Sequence, residues 1–268
     1  MWLEAVRYVK PSLFETKLRF GILPEFVRIA GQSAAAAVVC APMFFEARPR
    51  TPLRVFCIAA FEYLARLGGR TLGRQRRVAI AHACDFGSLR DEYYDEQKLD
   101  RAEYRSLRRA LRRIAPERST LRYIRQLRDA ERSRPIFAEG GDGVVKATIG
   151  YRKSVIKLSL AWMESIAGLA CERVKAHSLV SLVCLMQLAD DLLDWKEDRA
   201  CGCPSYVTAF LAEQPGAPMA KRLRAQADRL LQRTVHAARR DAGAVPFAVA
   251  GVATWTFVVA LLKVRCPQ

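Results

Sequence analysis

The chain has 268 residues, half of them apolar and a quarter charged, which is globular composition with enough length to bury a substantial core and excludes a disordered or fibrous polymer. Its 44 Lys and Arg against 27 Asp and Glu leave a formal net charge of +17. That excess favours anionic partners: nucleic acid, an anionic membrane face or phosphorylated small molecules. Three His and eight scattered Cys without a Cys-x-x-Cys pair argue against a structural zinc site.

Residues 1–30 mix apolar and basic residues at helical spacing, broken at Pro11 and Pro24. The opening Met-Trp-Leu-Glu-Ala-Val-Arg does not read as a secretory signal, and none is expected. With most thiols inside apolar stretches, a reduced cytoplasmic setting is expected. Residues 31–45 predict a buried Ala-rich helix, and residues 52–66 another, closed by Gly68-Gly69. Residues 75–95 predict a helix with an apolar first half and an acidic second half. It holds Asp85, the first aspartate of the chain, then Asp91 and Asp95 one turn apart. Residues 101–134 are dense in Arg, with a narrow stripe of Leu107, Leu111, Ile114, Leu121, Ile124 and Leu127. They read as a solvated surface pair of helices; the rival reading is a nucleic-acid or membrane-contacting face.

Gly140-Gly141-Asp142-Gly143 is a loop without the Gly-Lys-Ser/Thr ending of a phosphate-binding loop. Residues 144–174 predict a helix carrying Lys146, Arg152, Lys153 and Lys157 near its start. Residues 176–199 predict a helix whose apolar approach ends in Asp190-Asp191-Leu192-Leu193-Asp194-Trp195-Lys196-Glu197-Asp198. Cys201-Gly202-Cys203 reads as a loop, with a redox pair as the rival. Residues 207–213, 219–241 and 244–265 predict further helices. Residues 242–262 carry no charge and are long enough to span a bilayer. Pro246 and Gly251 interrupt them, so a central core helix is expected, with a tail anchor as the alternative. No run shows strand alternation, and no internal repeat or linker divides the chain. The expectation is an all-α single domain over residues 1–268.

The acidic rows carry the chemistry. Asp190, Asp194 and Asp198, spaced i, i+4, i+8, fall on one side of a helix. Like charges stacked this way repel, and buried unpaired carboxylates cost more still. Facing rows on two helices of a bundle could converge on one cavity. Asp91 and Asp95 with Asp190, Asp194 and Asp198 would then hold magnesium, which bridges carboxylates to substrate phosphates. Lys146, Arg152, Lys153 and Lys157 would complete an anion site, with at least one facing the cavity.

Asp190 to Asp198 resembles the second aspartate-rich motif of the class I isoprenoid synthases, which include trans-prenyl diphosphate synthases and terpene cyclases. Asp91-Glu92-Tyr93-Tyr94-Asp95 is similar to the first such motif, with Asp85 in reserve. Lys98 to Leu107, and Asp198-Arg199 followed by Ser205-Tyr206, resemble the tetraprenyl-β-curcumene synthase family. The resemblance spans residues 80–210. It implies a class I terpenoid synthase-like helical bundle around a central apolar cavity. It also implies three magnesium ions and ionisation of a linear prenyl diphosphate, with Asp91, Asp95, Asp190 and Asp194 catalytic. The cation's walls would come from Phe86, Tyr93, Tyr94, Trp162, Met163, Met186, Trp255 and Phe257.

The chain departs from chain-elongating synthases. Leu67-Gly68-Gly69-Arg70 lies too close to Asp91 to be their Gly-Gly-Lys-x-x-Arg segment, and Arg101 alone stands near the place of their Arg pair. A one-substrate cyclase or lyase is therefore expected, with a condensing prenyltransferase as the alternative. The expected partner is the prenyl diphosphate, with no nucleic acid, peripheral membrane contact and a homodimer in view. A non-catalytic basic helical protein is the reading from outside enzymology.

Overall fold

The computed structural model describes residues 23–42, 51–96, 100–135, 143–170, 173–213 and 218–265. All regular structure among them is helical, as expected of an all-α chain. In order the helices are α1 (Leu23–Cys40), α2 (Thr51–Leu67), α3 (Arg74–Glu96), α4 (Arg101–Ile114), α5 (Glu117–Arg132) and α6 (Val144–Ala167). There follow α7 (Arg173–Leu193), α8 (Trp195–Cys201), α9 (Tyr206–Glu213), α10 (Met219–Arg240) and α11 (Val245–Val264). Local chemistry sets several ends. Asp100 caps α4 by accepting from the N–H groups of Ala102 and Glu103 at 2.8 and 3.0 Å. Gly168 closes α6 in the left-handed conformation, φ 66°.

The helices share two apolar clusters. One gathers α1 to α6, with Leu179 and Leu182 of α7 and Phe247 of α11, around Phe61, Ile80, Phe86 and Leu111. The other gathers α7, α9, α10 and α11 around Leu185, Leu188, Tyr206 and Trp255. Leu160 of α6 and Val183 of α7 pack against both. These two helices form the seam between the clusters.

Three expectations change. The helix expected over residues 176–199 breaks at Asp194, whose backbone turns to φ −110°, ψ 15°. Backbone bonds still link Asp194 N to Asp190 O and Asp198 N to Asp194 O, at 3.1 and 2.9 Å. The row therefore continues across a kink, split between α7 and α8. The apolar stripe of α5 is rotated from its expected place. Thr120, Tyr123, Leu127 and Glu131 are buried and Leu121 is exposed, because Tyr123 stacks flat on Trp162 of α6 at 4.1 Å.

Residues 242–262 do not form a central core helix. Helix α11 buries one face, with Phe247, Gly251, Trp255 and Val258 packed inward. Its other face exposes Val249, Ala253, Phe257, Ala260 and Val264 at helical spacing; Val249 is 65% and Phe257 50% exposed. Two helical stretches are long and apolar enough to cross a membrane. Lys175–Leu193 is 61% buried and Ala242–Val264 only 28%.

Candidate active site

A 440 Å³ cavity lies on the seam, lined by α2, α3, α5, α6 and α7. Each helix contributes one stripe. From α3 come Cys84, Gly87, Ser88, Asp91 and Tyr94, and from α5 Tyr123, Leu127 and Glu131. From α6 come Tyr151, Arg152, Val155, Ser159, Leu160 and Met163, and from α7 Val183, Met186, Gln187 and Asp190. Along α3, α5 and α7 the charged members lie toward the C-terminal end. Along α6 they lie toward the N-terminal end. Helix α6 therefore runs opposite to the other three at the cavity, and Asp91, Glu131, Arg152 and Asp190 meet at one mouth. The remaining wall is apolar, with Phe56 and Leu53 of α2 opposite Met163.

This arrangement polarises the cavity. Three helix C-termini, each carrying roughly half a negative charge, point at the mouth. They favour a cation beside Asp91 and Asp190. Arg152 faces them from the third turn of α6, beyond the reach of that helix's dipole, so its own charge is what suits an anion.

Arg152 is where the two acidic rows meet. It donates to Asp191 at 3.4 Å. Burial works against its charge, yet the fields of Asp191, Asp91, Tyr151 and Asp198 outweigh that cost and hold its pKa above the ordinary arginine value. Its Nε is buried without a hydrogen-bond partner. The donor set at the mouth therefore has one unused N–H beside acids from both rows.

Asp191, one residue round from the expected ligands, is the member that sequence reasoning missed. It is fully inside. Besides Arg152 it accepts from the Tyr206 N–H at 2.6 Å and from Gln187 Nε2 at 3.1 Å. Tyr206 is the first residue of α9, so Asp191 stabilises a helix N-terminus. Burial raises its carboxyl pKa, and Arg152 and the Tyr206 N–H pull it back in part. The readable signal was the Ser205-Tyr206 pair fifteen residues on. Burial, with the neighbouring charges of Asp191 and Asp194, also raises Asp190, against Arg152 and a 3.2 Å bond from Gln187.

The other expected residues are dispersed. Asp194 is exposed at the α7–α8 kink, and Asp198 is half-buried on α8. Asp95 belongs to the last turn of α3, and its side chain lies outside the described residues. Lys146 lines a cleft against the end of α5, Lys153 a groove beside α10, and Lys157 a small cavity with Phe61 and Glu164. Helical spacing explains the split: Lys146, Lys153 and Lys157 share a side of α6 that lies about 100–140° from Arg152. The reserve candidate Asp85 is held instead by Arg54, whose Nε and Nη2 grip its two oxygens in a buried pair.

Of the expected wall residues, Tyr94, Met163 and Met186 line the cavity. Tyr93 faces a separate cleft with Arg90 and Arg128. Phe86 and Trp162 are packed core of the first cluster, Trp255 belongs to the second, and Phe257 faces outward. The Cys201 and Cys203 sulfurs lie 3.0 Å apart and are unbridged.

Among the described residues no three His, Cys, Asp or Glu side chains form a ready-made metal cage. Magnesium does not require one. It commonly takes one or two carboxylates, keeping waters and substrate phosphates in its other positions. Asp91 and Asp190 line one cavity from different helices and are the two carboxylates it offers to such an ion, and the Arg152 guanidinium is the cation it offers to a phosphate. Comparisons with family models, with curated proteins and with solved structures find no match to this chain.

Proposed function

We propose that the chain is a class I terpene synthase, a magnesium-dependent lyase that releases diphosphate from a linear prenyl diphosphate. The observation carrying this reading is the shared mouth. Asp91 and Asp190 line it, and Arg152 feels carboxylates of both rows there, above an otherwise apolar cavity.

The prenyl tail would lie along Phe56, Leu160, Met163 and Met186, with the diphosphate at the mouth. Magnesium would be held by Asp91 and Asp190, with Asp95, Asp194 and Asp198 at the rim, and would neutralise the leaving group. Arg152, which lines the cavity, would attract the diphosphate by its charge and stays protonated throughout. The allylic C–O bond breaks with its electron pair leaving on the diphosphate, so positive charge develops on the tail. Burial pushes the Tyr123 phenol up to about 12, so it stays neutral. The aliphatic wall keeps water from the cation, which closes a ring or loses a proton.

The cavity bounds the substrate. Its 440 Å³ stands toward the small end of ligand-site volumes, which suits a short tail. Ten- and fifteen-carbon prenyl diphosphates are therefore the favoured substrates. One polar mouth on one cavity favours a single substrate over condensation of two.

The outward face of α11 supports peripheral membrane association. A bare apolar stripe ending in Lys263 and Arg265, on a chain of charge +17, complements an anionic bilayer.

The test is incubation of the purified chain with magnesium and prenyl diphosphates of ten to twenty carbons, following diphosphate release. We expect turnover of the shorter substrates. Asp91→Asn and Asp190→Asn should each lower it on the order of 100-fold or more. Absence of turnover beside an active control enzyme, or full activity in both variants, overturns the reading.

A further inference from the structure

We propose that the groove between α7 and α10 is a second anion site, separate from the cavity, that takes a linear oligophosphate. The groove encloses 1030 Å³. Along α10, Arg229, Arg233, His236 and Arg240 follow one another at i, i+4, i+7 and i+11 and form one stripe along it. At 1.5 Å per residue the stripe is about 16 Å long. Arg173 of α7 and Lys153 of α6 supply the other side.

Little neutralises these charges. Asp228 is the sole acid among the lining residues. Its Oδ1 already accepts from Arg224 Nε at 3.1 Å and Trp255 Nε1 at 2.7 Å. No carboxylate among the described residues pairs with Arg229 or Arg233. Lys153 and Arg233 approach from different helices, and both act on the buried Cys184 thiol, which burial raises and their fields lower. Both residues line the same groove, so the two walls present their charges to one space. Such an excess of cations in a concave site favours an occupant with several linked negative charges.

The lining decides between phosphate carriers. No Phe, Tyr or Trp lines the groove, so bases of a single strand would find no aromatic platform on which to stack. A bare chain of phosphates needs only the forked donors of arginine, which match its oxygens. The site stands on its own residues, whether or not the reaction proposed above occurs in the cavity.

The probe is sodium tripolyphosphate, titrated calorimetrically into the full chain at fixed ionic strength without magnesium. Sulfate, ATP and a short single-stranded oligonucleotide are parallel titrants. We expect tripolyphosphate to bind, with ATP binding too if its nucleoside can hang clear of the groove. Arg229→Gln/Arg233→Gln, and separately Lys153→Gln, should weaken binding, the double variant about tenfold or more. The far-ultraviolet circular dichroism and thermal midpoint of the variants should be unchanged, which separates a lost site from a lost fold. Three results overturn the proposal: equal tripolyphosphate affinity in a folded double variant, sulfate binding as tight at equal ionic strength, or tighter oligonucleotide binding that displaces tripolyphosphate.

Discussion

Asp191 and Arg152 show how one residue step changes a carboxylate's work. Asp190 reaches the cavity mouth, whereas Asp191 turns inward to hold Arg152 and the start of α9. Removing Arg152's charge leaves a buried carboxylate against one N–H and one amide. We expect Arg152→Gln to lose about 3–5 kcal/mol of stability, read by urea denaturation, in addition to any loss of turnover. The pH dependence has a defined sign. Burial raises the folded Asp191 pKa above its unfolded value, so the fold holds this proton more tightly than the open chain does. Its contribution is full below the unfolded pKa and is lost as pH rises through the folded one. In magnesium-free buffer, the stability of wild type relative to Asp191→Asn should therefore fall as pH rises above the ordinary carboxylate range. A flat difference would remove the assignment.

The helices themselves were largely legible. Apolar periodicity placed α2, α3, α6, α9, α10 and α11 close to their observed spans, because each buries one continuous face. The break at Asp194 was not legible, since no Gly or Pro marks it and the kink depends on how α8 docks. The rotation of α5 was hidden for a similar reason. A tyrosine stacked on a tryptophan from another helix outweighed the leucine stripe. Between elements, Gly251 of α11 lies close against α10. A Cβ there would sit 2.9 Å from Thr234 Oγ1, with Leu231 close behind. Gly251→Val should push the helices apart and cost about 1–3 kcal/mol, measured by thermal unfolding. On the cavity wall, enlarging Met163 should shorten the usable depth. Met163→Phe is expected to shift turnover from fifteen- toward ten-carbon substrates, seen in competition assays.

For the whole molecule, the sequence announced two acidic rows and a basic stretch but could not assign their directions. Arg152 enters the cavity and Lys153 leaves it, although they are neighbours, because α6 is wetted or covered differently on each side. The charge of +17 was plain from composition. Its concentration along α10 was not, since it required α7 to lie opposite. Likewise the absence of charge over residues 242–262 gave a helix but not which side of it faces out. That side predicts a measurable property. The chain should sediment with vesicles containing anionic lipid, and Val249→Glu/Phe257→Glu should abolish sedimentation while leaving the helix content unchanged. Binding that survives the double variant would place the contact elsewhere.

The cavity's position between two apolar clusters has a thermodynamic consequence. Because α6 and α7 belong to both clusters, an occupant gripping both walls acts as a strut between two units that could otherwise open separately. Hydrogen exchange should reveal such units as distinct protection levels in the free chain. A ligand at 100 times its dissociation constant adds about 2.7 kcal/mol to any opening that must release it. Slowly exchanging amides of α3 in one unit and α10 in the other should then gain protection together, although neither the ligand nor its mouth touches α10.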